Sequence, residues 1–165
     1  MGKKIHEHIS ISKLSSQNSI LLIISALLVT LAGELFIKYI YEICLRIPDI
    51  QFSTQSLKSE SNFGVKFFFI FLLAPILETL FFQTFLIGFL SRFVPLKFCF
   101  LISVTLFGFS HFYTLSYMIS TFYMGCIFSL SYIIFSKKKQ YPTLNTTVIH
   151  GLRNLIALIA DFISP

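Results

Sequence analysis

FFFIFLLAPILETLFFQTFLIGFL, from Phe67 to Leu90, is the stretch whose reading decides the fold. As a helix rising ~1.5 Å per residue it can cross a bilayer core, which takes roughly 20 residues. Its single charged residue, Glu78, falls near the middle. A carboxylate at that depth costs at least ~2.5–3.5 kcal/mol, so it belongs against protein or in a water-filled cavity, not against lipid. Two explanations stand for it: a structural carboxyl hydrogen-bonded to a neighbouring helix, or a functional one. Pro75, three residues earlier, lacks a backbone N–H and predicts a kink or a free carbonyl near the carboxylate.

The rest of the chain is built the same way. Hydrophobic residues make up 55% of the 165 and charged residues 12%, against about 25% charge in a soluble domain. Mean hydropathy is +0.81. The apolar residues fall in blocks: Ile20 to about Leu45, Phe67 to Leu90, Phe98 past His111, a fourth ending at Phe135, and roughly Thr143 to Ile163. The break between the third and fourth is placed around FYTLS, residues 112–116. These predict an all-α polytopic membrane protein of about five transmembrane helices. Residues 1–18 read as a polar N-terminal tail, 19–66 as the first helix and a Ser-, Gln- and Asn-rich loop opened by Arg46 and Pro48, and 67–165 as the core.

The net charge of +6 does not point to nucleic acid, because the basic residues gather at block ends. With the N-terminus inside, Lys3, Lys4, Lys13, Arg92, Lys97 and Lys137–Lys139 all become cytoplasmic, as the positive-inside rule expects. Cys44, Cys99 and Cys126 share no metal spacing and read as small apolar residues. His6 and His8 read as part of a solvated tail rather than a metal pair. Glu34, Lys38 and Glu42 lie four residues apart on the first helix, where the lysine is expected to neutralise a carboxylate of its own face.

Three further polar residues interrupt apolar helices. His111 lies in FGFSHF, and His150 and Asn154 lie in TTVIHGLRNL, one turn apart and on one face. Singly, each is a group that hydrogen-bonds between membrane helices. With Glu78 they supply a carboxylate, two imidazoles and an amide, a set suited to water-mediated hydrolysis. A desolvated glutamate can take a proton from water and deliver it to a leaving amine, with His111 orienting the water. His150 and Asn154 can donate to the oxyanion formed when a peptide carbonyl is attacked. Alternatively Glu78, His111 and His150 could hold a divalent metal such as zinc with one position open. Neither H-E-x-x-H nor G-x-S-x-G is present. Arg153, ~100° around the helix from Asn154, is expected to pair with an acid rather than act in catalysis.

In these motifs the chain resembles the CAAX-protease and bacteriocin-processing (CPBP, or Abi) intramembrane endopeptidases, whose motifs are E-E-x-x-x-R, F-x-x-x-H and H-x-x-x-N. Here they read ETLFFQ from Glu78 to Gln83, FGFSH from Phe107 to His111, and HGLRN from His150 to Asn154. The resemblance covers about Phe67 to Ala160, within the core at 67–165, and the first motif keeps only its leading glutamate. It implies an endopeptidase of a bacterial cytoplasmic membrane, acting on a peptide or membrane-protein substrate. Glu78 and His111 would activate water and His150 and Asn154 would stabilise the oxyanion; that glutamate mechanism requires no cofactor, and a divalent metal such as zinc stays open as the alternative. Phe107 belongs to the second motif. Thr79 and Gln83 stand where the family has a second glutamate and an arginine, and are expected to form a neutral hydrogen-bonding support. The competing reading is a non-catalytic member of the fold that binds a peptide or partner, as in immunity to a secreted peptide. A small proton- or ion-coupled transport component is a third, without a repeat to support alternating access.

Overall fold

A computed structural model of the chain describes residues 2–41 and 63–163, with side chains over 19–41 and 63–163. Among the described residues there are five helices and no strand. These are α1 (Gly2–Tyr39), α2 (Phe63–Arg92), α3 (Leu96–Ser110), α4 (Leu115–Lys137) and α5 (Pro142–Ile163). Glu42, Cys44, Arg46, Pro48 and the loop that follows lie outside the described residues, as do the side chains of Lys3, Lys4, His6, His8 and Lys13. The protein is an integral membrane protein of helical type. Its apolar side chains point outward in numbers that water would not tolerate, Leu21, Leu35, Phe36 and Phe93 among them.

Four helical stretches are long and apolar enough to cross a bilayer: Ser19–Tyr39, Phe63–Arg92, Leu115–Lys137 and Pro142–Ile163. The fifth helix, α3, has 15 residues, about 22 Å at ~1.5 Å each, short of the ~30 Å hydrocarbon core. It stops at Ser110 instead of running past His111. The Ser110 hydroxyl and the His111 Nδ1 both reach the Phe107 carbonyl at 2.8 Å, while the His111 amide N–H turns to Gly108 O at 3.2 Å. The last turn is therefore closed by side chains. Thr114 then caps α4, its hydroxyl accepting from the Tyr117 amide at 3.2 Å. Helix α1, in turn, starts at Gly2 rather than Ile20, since no proline and no further glycine intervenes before Gly33.

Helix α4 is the hub and packs against all four others, whereas α1 lies on α4 and α5, and α2 on α3, α4 and α5. The core is Phe82, Leu86, Phe107, Met124, Phe128, Phe135 and Ile149. Small polar groups hold the helices where lipid gives no hydrophobic drive between them. Ser103 donates to Phe82 O at 2.8 Å and meets the Ser129 hydroxyl at 3.1 Å, and Thr84 and Thr143 share a hydrogen bond of 2.8 Å. Cys99 is fully buried and Cys126 half-buried, both as free thiols, in line with their reading as small apolar residues.

Helix α2 is wound unevenly. Residues Phe67–Leu73 and Thr79–Phe89 follow a wide register with amides reaching five residues back, the Thr79 amide itself still turning to Pro75 O and Ile76 O, and Ala74–Glu78 between them is α-helical. Wide turns of this kind are rare and gather at functional sites. The Ala74 amide bonds to Phe69 O. In that register the next donor would be residue 75 onto Ile70 O, but Pro75 has no N–H. The break therefore falls one turn from Glu78.

Candidate active site

Glu78 at the middle of α2, His111 at the end of α3 and His150 on α5 converge. The Nε2 atoms of both histidines lie 3.6 Å from the same oxygen, Oε2 of Glu78. Their side chains are 25% (Glu78), 17% (His111) and 4% (His150) exposed, so none of the three stands on the lipid face. The short α3 brings His111 here by ending at mid-depth. Its ring orientation is set by the Nδ1 contact to Phe107 O at 2.8 Å. An Nδ1 that donates to a carbonyl leaves Nε2 with its lone pair turned toward the carboxylate.

Phe107 is the packing centre of the site. It is 1% exposed, with its ring centroid 4.8 Å from that of His111 and 5.8 Å from that of His150. His150 stacks on Phe128 at 4.5 Å. A Cβ on Gly125 would come within 3.1 Å of the Phe107 ring, so glycine lets α4 close on that ring. Phe128 and Tyr117, whose ring lies 6.0 Å from that of His111, escaped sequence reasoning. Nothing in spacing separates them from the chain's other aromatics.

Asn154 lies one turn along α5 from His150 and faces the break in α2. Its Nδ2 donates to Ile70 O at 3.1 Å, the carbonyl that Pro75 leaves without a partner in the wide register. Close by, a Cβ on Gly151 would sit 3.0 Å from Phe71 O, so glycine allows α5 to approach the exposed carbonyls. Arg153 pairs with an acid, as expected: its Nε donates to Glu34 Oε1 at 2.8 Å, and its Nη1 to Asn154 Oδ1 at 3.2 Å. For Glu34 this replaces the local pairing with Lys38 read from the first helix, while Glu42 lies outside the described residues. The carboxylate of Glu34 is neutralised across helices by a guanidinium, which offers a fork that a lysine lacks.

The support read into Thr79 and Gln83 takes another form. Both are fully buried, and neither the Thr79 hydroxyl nor either end of the Gln83 amide has a hydrogen-bond partner among the described residues. They fill these positions by packing, and their side chains do not hydrogen-bond to Glu78. His150 Nδ1, 3% exposed at the residue level, is likewise unpartnered.

A cavity of about 800 Å³ lies beside these residues rather than over them. It runs between α1, α4 and α5, lined by Leu35, Lys38, Tyr41, Tyr113, Tyr117 and Arg153 among others. Tyr117 and Arg153 are its links to the site, through His111 and Asn154 respectively. Among the described residues, no group of three His, Cys, Asp or Glu side chains is placed to hold a metal ion, Glu78, His111 and His150 included. What the three can do is hold a small hydrogen-bonding molecule between two imidazole nitrogens and a carboxylate oxygen.

Comparison with known proteins adds the family. No curated protein and no solved structure matches the chain. The family model described as type II CAAX prenyl endopeptidase Rce1-like matches residues 60–156, more than half of the 165 residues, a range that takes in Glu78, Phe107, His111, His150 and Asn154. By that match the chain belongs to the Rce1-like family, a protease family of the CPBP group.

Proposed function

We propose that the protein is an intramembrane endopeptidase that cleaves a peptide bond with water activated by Glu78 and His111. One observation carries this reading: the Nε2 lone pair of His111 and Glu78 Oε2 face each other at 3.6 Å. Two acceptors at that separation are reconciled by a donor between them, and water supplies two O–H groups. Glu78 takes one proton as the water oxygen attacks the carbonyl carbon, while His111 holds the other O–H in line. The carbonyl oxygen becomes an oxyanion, to which His150 and the second N–H of Asn154 Nδ2 donate. On collapse the C–N bond breaks and Glu78 returns its proton to the leaving amine, giving a carboxylic acid end and a free amine.

The family description supplies a first substrate to try, a farnesylated peptide ending in a CAAX box. With purified protein in nanodiscs and a quenched-fluorescent form of that peptide, Glu78→Gln should lose at least the ~10²–10⁴-fold that a general base contributes. The glutamate route uses no metal, so dialysis against a strong chelator should leave the rate unchanged. Loss on chelation with recovery on adding zinc would sink the route. Retained cleavage in Glu78→Gln would sink the site.

The neutral Thr79 and Gln83 favour one other reading, a non-catalytic member of the family that binds a peptide or partner without cutting it. Peptide binding with no cleavage by the native chain, equal in Glu78→Gln, would decide for that reading.

A further inference from the structure

We infer that Arg153 is a positioning residue for Asn154, itself set by Glu34 of α1. The inference rests on the reading of Asn154 as an oxyanion donor. A side-chain amide has nearly isosteric ends, one donating and one accepting, so its sense must be fixed by neighbours. Here both ends are engaged: Oδ1 accepts from Arg153 Nη1 at 3.2 Å and Nδ2 donates to Ile70 O at 3.1 Å. Reversing the amide would set its NH₂ against the guanidinium and its oxygen against a carbonyl, donor to donor and acceptor to acceptor. The two contacts thus hold Asn154 in one sense and leave its second N–H free to donate.

Arg153 can do this because its own position is fixed from the other side. The Nε atom is held by Glu34 Oε1 at 2.8 Å, while Nη1 of the same planar group meets Asn154. A rigid planar fork holds both partners in a fixed geometry at once, whereas the rotatable donors of a lysine ammonium fix neither direction. Glu34 lies on α1, before the region the family model matches, so an element outside that region sets the orientation of a motif residue.

The competing explanation is an ion pair that merely stabilises the fold, and a charge swap separates the two. Glu34→Arg combined with Arg153→Glu restores a pair across the helices but offers Asn154 Oδ1 an acceptor instead of a donor. In nanodiscs, with the farnesylated CAAX peptide, thermal stability should return toward that of the native chain. The kcat should stay down on the order of tenfold or more, as misplacement of a group by ~1 Å can cost 10²-fold, with KM little changed. Arg153→Lys should lower kcat in the native background and have no further effect in Asn154→Ala, because it acts through that amide. Full recovery of kcat in the swap, or an undiminished Arg153→Lys effect in Asn154→Ala, would overturn the inference.

A second measurement does not depend on turnover. With asparagines ¹⁵N-labelled and the Asn154 side-chain signal assigned by its loss in Asn154→Asp, Arg153→Lys should speed exchange of that amide with water. Unchanged exchange would overturn the inference even if no peptide is cut. Faster exchange in a chain that cuts nothing would instead leave the orientation standing and remove the catalytic reading of Asn154.

Discussion

At the scale of single residues, the motif positions and their environments are legible to different degrees. Glu78, His111 and His150 stand out in sequence because each is a polar group that lipid penalises, and the structure gathers all three at one carboxylate oxygen. Arg153 was legible for the same reason, since a guanidinium on an apolar helix needs an acid. Which acid was not legible, because Glu34 precedes it by 119 positions. Thr79 and Gln83 show the limit most plainly. Their buried, unpartnered side chains stand at the positions of the motif's second glutamate and arginine, and a neutral pair leaves no charge to be traced. Gln83→Arg puts an unpaired charge there, and leaving a buried charge without its partner typically costs ~3–5 kcal/mol. The double change Thr79→Glu with Gln83→Arg supplies the partner one turn away. Folded yield and cleavage should therefore be lower for the single variant than for the double one. Equal behaviour would show that the two positions are not coupled.

At the scale of elements, periodicity and composition show where the helices are but not how α2 is wound. An apolar run with one proline gives no sign of a register in which amides reach five residues back, because most i+3, i+4 and i+5 neighbours are apolar alike. The end of α3 was legible only as a break somewhere in 112–116. It falls earlier because Ser110 and His111 side chains close the last turn onto Phe107 O, a local competition that hydropathy does not register. The free carbonyl expected of Pro75 is present in effect: Asn154 donates to Ile70 O, and Gly151 packs beside Phe71 O. Pro75→Ala supplies the missing donor and competes with Asn154 for that carbonyl. A neutral hydrogen bond is worth ~0.5–1.5 kcal/mol, so cleavage should fall a few-fold to about tenfold while thermal stability holds or rises. Gly151→Ala does the opposite. Its methyl would stand 3.0 Å from a backbone oxygen that cannot swing away, and overpacking of this kind typically costs ~1–3 kcal/mol. Thermal denaturation in nanodiscs should show the loss, and a Gly151→Ala protein as stable as the native one would mean that α5 does not press on α2.

At the scale of the whole molecule, the packing decides which charges share an end of the bundle. Helix α1 runs antiparallel to α4: Leu22, Ser25 and Ala26 share a cavity with Ile134 and Phe135, Val29 O accepts from Tyr123 at 2.6 Å, and Tyr41 lies with Tyr113 and Tyr117 around the large cavity. The beginning of the α1 span therefore sits at the end of the bundle where α4 finishes, with Lys137, Lys138 and Lys139. The α2–α3 turn joins it there, since Gly88 and Ser91 share a hollow with Ser136 and Lys137, and this brings Arg92 and Lys97 to the same end. The opposite end carries Lys38 and Lys66 with Asp161. By the positive-inside rule the end rich in bases is expected to face the cytoplasm, and this orientation is proposed on charge alone. Tyr41, Tyr113 and Thr114, which line the large cavity, then lie toward the outer face. With Cys44, Cys99 and Cys126 replaced by serine or alanine and single cysteines introduced, a membrane-impermeant maleimide reports the side directly. Lys138→Cys should label only after the cells are permeabilised, and Phe162→Cys should label in intact cells. The reverse pattern would invert the protein and place the cavity toward the cytoplasm. Labelling of both in intact cells would mean that α5 does not cross the membrane at all. The common end of Lys137–Lys139 and the α1 span follows from packing and stands in any of these outcomes; only the side it faces rests on the charges.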